Sequence, residues 1–215
     1  MSDDAYSFPD LPLGPVAGGR TVLVEGSLID GVREILLRAA DPGDGEGAIL
    51  VATNSTGGRL LDYRSEAGCA DAGDRVRIVD CVSAQQGRDL DAPNATGVSS
   101  PGDLTGIGMR TAEGYDRLEA DGIDRVRVGL LSVSTILMYA DLRRTSRFVH
   151  VLAGRVASAG GLGVLALDSG AHEERTASTI RQLCDGRVEL RDGDAGRELR
   201  VRGLPDQPDG WTPVD

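Results

Sequence analysis

The chain has 215 residues and a formal net charge of −11, with 24 Asp, 10 Glu and 23 basic residues that are all arginine. The complete absence of lysine excludes Schiff-base chemistry and any phosphate site built on an ammonium group, and the acidic balance disfavours nonspecific nucleic-acid binding. Aromatic residues make up only 3% of a 40% apolar complement, so the core must be aliphatic, as suits a mostly parallel sheet covered by helices.

The Asp-rich, lysine-free composition predicts a halophilic protein kept soluble by hydrated carboxylates. Cys69, Cys81 and Cys184 are odd in number and contain no C-x-x-C pair, so neither a zinc site nor a disulfide framework is expected. No apolar run is long enough to span a membrane, and the acidic 1-MSDDAYSFPD-10 is unlike a signal peptide. A cytoplasmic protein with reduced thiols is therefore expected.

Residues 1–19 are predicted to be an irregular, loosely packed lead-in, anchored by Phe8, Leu11 and Leu13. The first strand is Thr21–Val24, followed by a loop bounded by Gly26 and Gly31 and a helix over 31–40 with Asp30 as its N-cap. A second, continuously apolar strand covers 48–53, and its helix covers 58–67. A third strand covers 75–81. The Gly/Ser/Pro/Asp-rich segment 82–106 reads as the longest loop, and 103–122 as a helix with Ile107, Met109 and Leu118 inward.

The fourth strand covers 125–132. One long helix is then expected over 134–160, with Ile136, Leu137, Tyr139, Ala140, Phe148, Val151, Leu152 and Val156 as its apolar stripe. The fifth strand covers 163–168, and a helix over 172–186 stops at Gly186. Alternation in 187–193 and 197–204 predicts a β-hairpin whose Val188, Leu190, Leu199 and Val201 face the core. The tail 205–215 is expected to be held by Trp211. Five strand–helix alternations and a hairpin define an α/β three-layer sandwich, with one domain over 20–204.

The first strand, loop and helix have the layout of a Walker A motif, Gly-x-x-x-x-Gly-Lys-[Ser/Thr]. Gly26 and Gly31 keep its spacing, while Val32 stands at the lysine position and Arg33 at the hydroxyl position. The order of elements, with 75-RVRIVDCVSAQQG-87, 101-PGDLTGIG-108, 129-GLLSVSTILMYAD-141, 147-RFVHVLAGR-155 and 180-IRQLCDGRVELR-191, resembles the haloarchaeal RecA/KaiC-like P-loop proteins regarded as inactivated and sometimes described as signalling-associated. The resemblance covers nearly all of residues 16–214 and implies a RecA-like fold.

It also implies where an active relative would carry its chemistry. The catalytic glutamate would follow the second strand, where Thr53, Asn54 and Ser55 stand, Asn54 and Ser55 reading as turn or N-cap residues. The Walker B aspartate would end the fourth strand, taken to lie beside the first, where Leu131 stands. Asp168, Ser169 and His172 end the fifth strand, expected on the other side of the first, and read most simply as a helix cap. Asp80 and Cys81 reach the crevice edge, and His150 reads as a packing residue of the long helix.

The resulting expectation is a noncatalytic scaffold that binds a protein partner or assembles with itself. It has no metal, no catalytic residue and no cofactor. A vestigial nucleotide loop of Gly26, Ser27, Asp30, Gly31, Val32 and Arg33 is the one place where ATP would bind. A nucleotide- or anion-binding sensor using Arg33 and the loop amides remains open. So does a DNA-repair accessory protein using Arg143, Arg144 and Arg147, although pairing of those arginines with acids such as Asp141, or a solvated face, is the simpler reading.

Overall fold

The computed structural model describes residues 5–26, 29–194 and 196–214. In chain order the elements are β1 (Ala5–Tyr6), β2 (Val16–Ala17), β3 (Arg20–Gly26), α1 (Ile29–Ala39), β4 (Glu46–Ala52), α2 (Gly57–Glu66), β5 (Val76–Asp80), β6 (Ala95–Gly97), α3 (Leu104–Ala120), β7 (Arg125–Leu130), α4 (Val133–Tyr139), α5 (Leu142–Ser158), β8 (Leu162–Asp168), α6 (Glu174–Arg181), β9 (Gly186–Gly193), β10 (Gly196–Arg202) and β11 (Thr212–Pro213). Nine strands form one sheet in the order β11-β10-β9-β3-β8-β7-β4-β5-β6. It is parallel from β9 through β6, and β9, β10 and β11 continue it as an antiparallel extension.

The continuous apolar runs follow from burial on both faces. Successive side chains of a strand point to opposite sides, and the two cores divide accordingly. Val22, Val24, Leu50, Val164 and Ala166 pack beneath α1, α2 and the N-terminal arm. Leu23, Ile49, Val51, Leu165 and Leu167 pack beneath α3, α4, α5 and α6. The sheet and α1 meet closely at Gly129, where a Cβ would lie 2.8 Å from Leu50 Cδ2 and 3.1 Å from Ala40 Cβ.

The lead-in is not loose. β1 pairs antiparallel with β2, Tyr6 opposite Val16, and Tyr6, Phe8, Leu11 and Val16 are buried. Its anchor is an ion pair at the N-terminal edge of the sheet. Arg127 Nε donates to Glu46 Oε2 at 2.6 Å, and both side chains are buried. The remaining guanidinium donors reach Ala39 O at 2.9 Å and Ser7 O at 3.0 Å. Arg125 adds a bond to Ala5 O at 3.0 Å, and the Tyr6 hydroxyl donates to Val126 O and Gly160 O. Sequence patterning reads short polar arms as loose because these partners come from residues 39 to 160.

Three further expectations are corrected. The helix over 134–160 is two helices: Ala140 is extended (φ −136, ψ 147), and Asp141 caps α5 by accepting from Arg144 N at 2.8 Å. Val151 lies off the buried face of α5 formed by Phe148, Val149, Leu152 and Val156, and Val151, Tyr139 and Met109 of α3 are exposed rather than inward. The helix expected over 172–186 is only α6, because Gly186 is already the first residue of β9, paired with Val22. The loop 82–106 contains β6, which extends the sheet beside β5. The tail is held as expected: β11 pairs with β10, Val214 is buried, and Trp211 lies 4.1 Å from the Arg191 guanidinium and 4.4 Å from that of Arg200.

Removing one partner of the Glu46–Arg127 pair strands a buried charge. Glu46→Ala is expected to cost about 3–5 kcal/mol in denaturant unfolding. The double variant Glu46→Leu/Arg127→Met recovers most of that loss.

Candidate nucleotide crevice

In a parallel α/β sheet the ligand crevice lies beyond the C-terminal ends of the strands. Here that edge is formed by Gly26 of β3, Asp168 of β8, Leu131 after β7, Thr53 after β4 and Asp80 of β5. β8 lies between β3 and β7, which corrects the expectation that the fourth strand neighbours the first. β8 thus flanks β3 on the side toward β7 and not on the opposite side, with Asp168 in register with Gly26.

The loop keeps its glycines for packing reasons. A Cβ on Gly26 would sit 3.1 Å from both Leu190 Cβ and Leu190 O, and one on Gly31 would sit 3.3 Å from Arg197 Nη1 and 3.4 Å from Leu190 Cδ2. The hairpin β9–β10 thus presses on both ends of the loop. α1 starts at Ile29, so Asp30 lies inside its first turn and does not precede it. Ser27 and the Asp30 side chain lie outside the described residues. Val32, at the lysine position, is 3% exposed and belongs to the core under α1. Arg33 stacks on the Tyr63 ring of α2 at 3.7 Å, where Arg59 also lies at 4.3 Å.

The carboxylates around the loop are engaged with arginine. Glu25 is buried and accepts from Arg181 Nε at 2.9 and 2.8 Å, and Glu34 accepts from Arg197 Nη1 at 2.7 Å. On the hairpin, Glu189 meets Arg187, Arg200 and Arg202 at 2.9, 2.5 and 3.3 Å. Burial alone would raise its carboxyl pKa, but hydrogen bonding to Arg200 and the charge of Arg187 outweigh burial and hold it below the usual carboxylate range.

Each expected chemical position is otherwise occupied. The Thr53 hydroxyl donates to Ser132 O at 3.0 Å, linking the ends of β4 and β7. Asn54 is exposed and Ser55 is buried in a bend. The cap of α2 is Thr56, which accepts from Arg59 N at 3.3 Å, so neither Asn54 nor Ser55 caps that helix. Leu131 is 2% exposed, and the next residue, Ser132, caps α4 by accepting from Thr135 N at 3.0 Å.

Asp168 caps the short turn Ser169–Ala171 through Gly170 N at 3.0 Å, and its own N–H donates to Ser134 Oγ at 3.1 Å. α6 starts later, at Glu174, without a side-chain cap, so Asp168 and Ser169 do not cap it. His172 Nε2 is buried without a hydrogen-bond partner.

Asp80 has a role that its position at a strand end did not reveal. Its carboxylate is fully buried. It accepts from Gly57 N at 2.7 Å, Val82 N at 2.8 Å, Ser83 N at 2.8 Å and Ser83 Oγ at 2.7 Å. It joins the start of α2 to the loop after β5 and is spent on structure. The cysteines are equally unsuited to nucleophilic work. Burial pushes the Cys81 thiol far up, with the charges of Asp80 and Asp103 adding to the effect; Cys184 is pushed up to about 12, and Cys69 to about 11, mainly by burial. His150 is exposed on α5, which corrects its reading as a packing residue. No group of three His, Cys, Asp or Glu side chains among the described residues is arranged to hold a metal.

The sheet order, with helices on both faces and an antiparallel C-terminal hairpin, is that of a RecA/KaiC-like α/β fold. A KaiC-like protein (PH0186) from the hyperthermophilic archaeon Pyrococcus horikoshii OT3 superposes with a TM-score of 0.63 at 15% identity, over 97% of this chain and 91% of that one. An uncharacterized protein (PH0321) from Pyrococcus horikoshii, solved in complex with an unknown peptide, superposes at 0.65 with 13% identity, over 89% and 85%. The chain belongs to a family of unknown function, DUF7504, whose profile matches residues 19–190. No curated protein matches it.

Two measurements test this geometry. Asp80→Ala leaves three buried N–H groups and a hydroxyl without an acceptor, and is expected to cost about 3 kcal/mol or more by chemical denaturation. Glu189 contributes stability that is full above the ordinary glutamate range, about pH 4.3, and is lost as pH falls through its lower folded-state value. Glu189→Gln should therefore flatten the acid limb of the stability–pH curve below about pH 4.5 while lowering stability at neutral pH.

Proposed function

We propose that this protein is a noncatalytic RecA/KaiC-like scaffold that works by binding another protein, and that it serves a signalling assembly. The observation that carries this reading is Val32. At the position where an active relative needs a cation on the phosphates, an aliphatic side chain is locked into the core beneath α1. The neighbouring positions agree. Arg33 is stacked on Tyr63, its fork cannot ligate magnesium, and Leu131 stands where the metal-binding carboxylate is expected.

Hydrolysis of ATP needs charge neutralisation, a magnesium ligand and a group that positions or deprotonates water; Val32 and Leu131 supply neither of the first two, and Asn54, at the position of the glutamate, cannot take a proton. Arg33's engagement also weakens the alternative of an anion sensor built on that residue. A structural neighbour described as bound to an unknown peptide supports a protein-binding role for the fold.

Calorimetric titration with magnesium-ATP in multimolar KCl is expected to give no saturable heat. Binding tighter than roughly 100 μM, about −5.5 kcal/mol, overturns the reading. The acidic surface is proposed to be a halophilic adaptation. Screening of self-repulsion then predicts a melting temperature that climbs from dilute buffer into multimolar KCl, and a midpoint that stays flat or falls removes that part of the proposal.

A further inference from the structure

α3 and α5 run side by side on one face of the sheet and leave an open groove of about 650 Å³ between them. Each helix has 17 residues, a length of ~25 Å, enough to seat about four turns of a third helix. Its floor and walls include Phe148 and Leu152, and two large apolar side chains stand open to solvent there: Met109 is 60% exposed and Val151 62%. Gly108 widens the groove, since a side chain at that position would meet nothing within 4 Å.

The charge of the groove is opposite to that of the molecule. Arg144, Arg147 and Arg155 line it and no carboxylate does, although the chain carries 34 acids against 23 bases. None of the three forms an ion pair among the described residues; Arg155 instead lies 5.9 Å from the Tyr115 ring, and Asp141 is engaged with the backbone N–H of Arg144. Of the two simpler readings of Arg143, Arg144 and Arg147, the solvated face therefore holds and pairing with nearby acids does not. Elsewhere the arginines of the hairpin and of the sheet's N-terminal edge are matched with glutamates.

We propose that the α3–α5 groove is the docking site for an acidic amphipathic helix of a partner protein. Apolar side chains at i, i+3/i+4 and i+7 spacing would cover Met109, Phe148 and Val151. Carboxylates on its flanks would receive the Arg144, Arg147 and Arg155 forks. The apolar floor selects a peptide over a nucleic acid, whose backbone offers no aliphatic anchor, and the net charge of −11 opposes a long polyanion. The inference rests on the protein-binding reading above and names the surface and the chemistry of the partner.

The test uses the full chain and three fluorescein-labelled probes followed by anisotropy in dilute and in molar KCl. These are a synthetic amphipathic peptide with leucines at helical spacing and glutamates elsewhere, the same peptide with lysines in place of the glutamates, and a single-stranded DNA oligonucleotide. The acidic peptide is expected to bind and the lysine peptide not to. Arg144→Glu/Arg147→Glu is expected to weaken binding at least about tenfold. Gly108→Phe fills the groove without changing charge, does not lower helix propensity, and is expected to abolish binding while the melting curve stays near wild type. An acidic peptide that fails to bind, binding indifferent to both variants, or DNA bound more tightly than the acidic peptide through the same arginines overturns the proposal. Peptide binding together with saturable magnesium-ATP binding would keep the groove and remove the noncatalytic reading.

Discussion

β3 is buried on both faces, and the rest of the molecule is arranged to keep it so. Leu23 faces the α5 side and Val24 the α1 side, both inaccessible to water. Burying one such side chain is worth roughly 1.5–3 kcal/mol, so helices must cover both sides and neighbouring strands must flank it. β8 and β9 take those flanking positions. The same requirement draws α1 onto the sheet with Val32 inward. Gly26 and Gly31 lie against the hairpin and Val32 is packed in the core.

The buried carboxylates follow one pattern, each met by a guanidinium or by backbone N–H groups. Glu46 and Arg127 fasten the N-terminal arm, Glu25 and Arg181 fasten α6 to β3, and Asp80 fastens α2 to the loop after β5. A chain without lysine must use arginine for every such contact. Arginine is well suited to it, since its planar fork satisfies two or three acceptors at once. Against this background Arg144, Arg147 and Arg155 of α5 form no ion pair among the described residues, although they share one groove.

The class of fold was legible in the sequence because hydrophobic periodicity depends only on local burial. The parallel strands, the inward hairpin residues Val188, Leu190 and Leu199, and the lack of a lysine at the loop all follow from reading residues one at a time. The break at Asp141 was legible in principle as an N-cap, but an apolar stripe running through it hid the stop signal. The buried state of the N-terminal arm was not legible, since its partners Arg125, Arg127 and Gly160 are more than a hundred residues away.

Composition and pattern by themselves determined that this chain folds as a helix-covered parallel sheet, and that it carries no lysine to place on a phosphate. Tertiary structure alone decided that β8 separates β3 from β7, so that Asp168 stands beside the loop, that Arg33 turns to Tyr63, and that the arginines of α5 line an open groove with Met109 and Val151. The physical reason is range. Periodicity records whether a residue is buried, whereas strand order, stacking and ion pairing depend on which distant segment is brought against it.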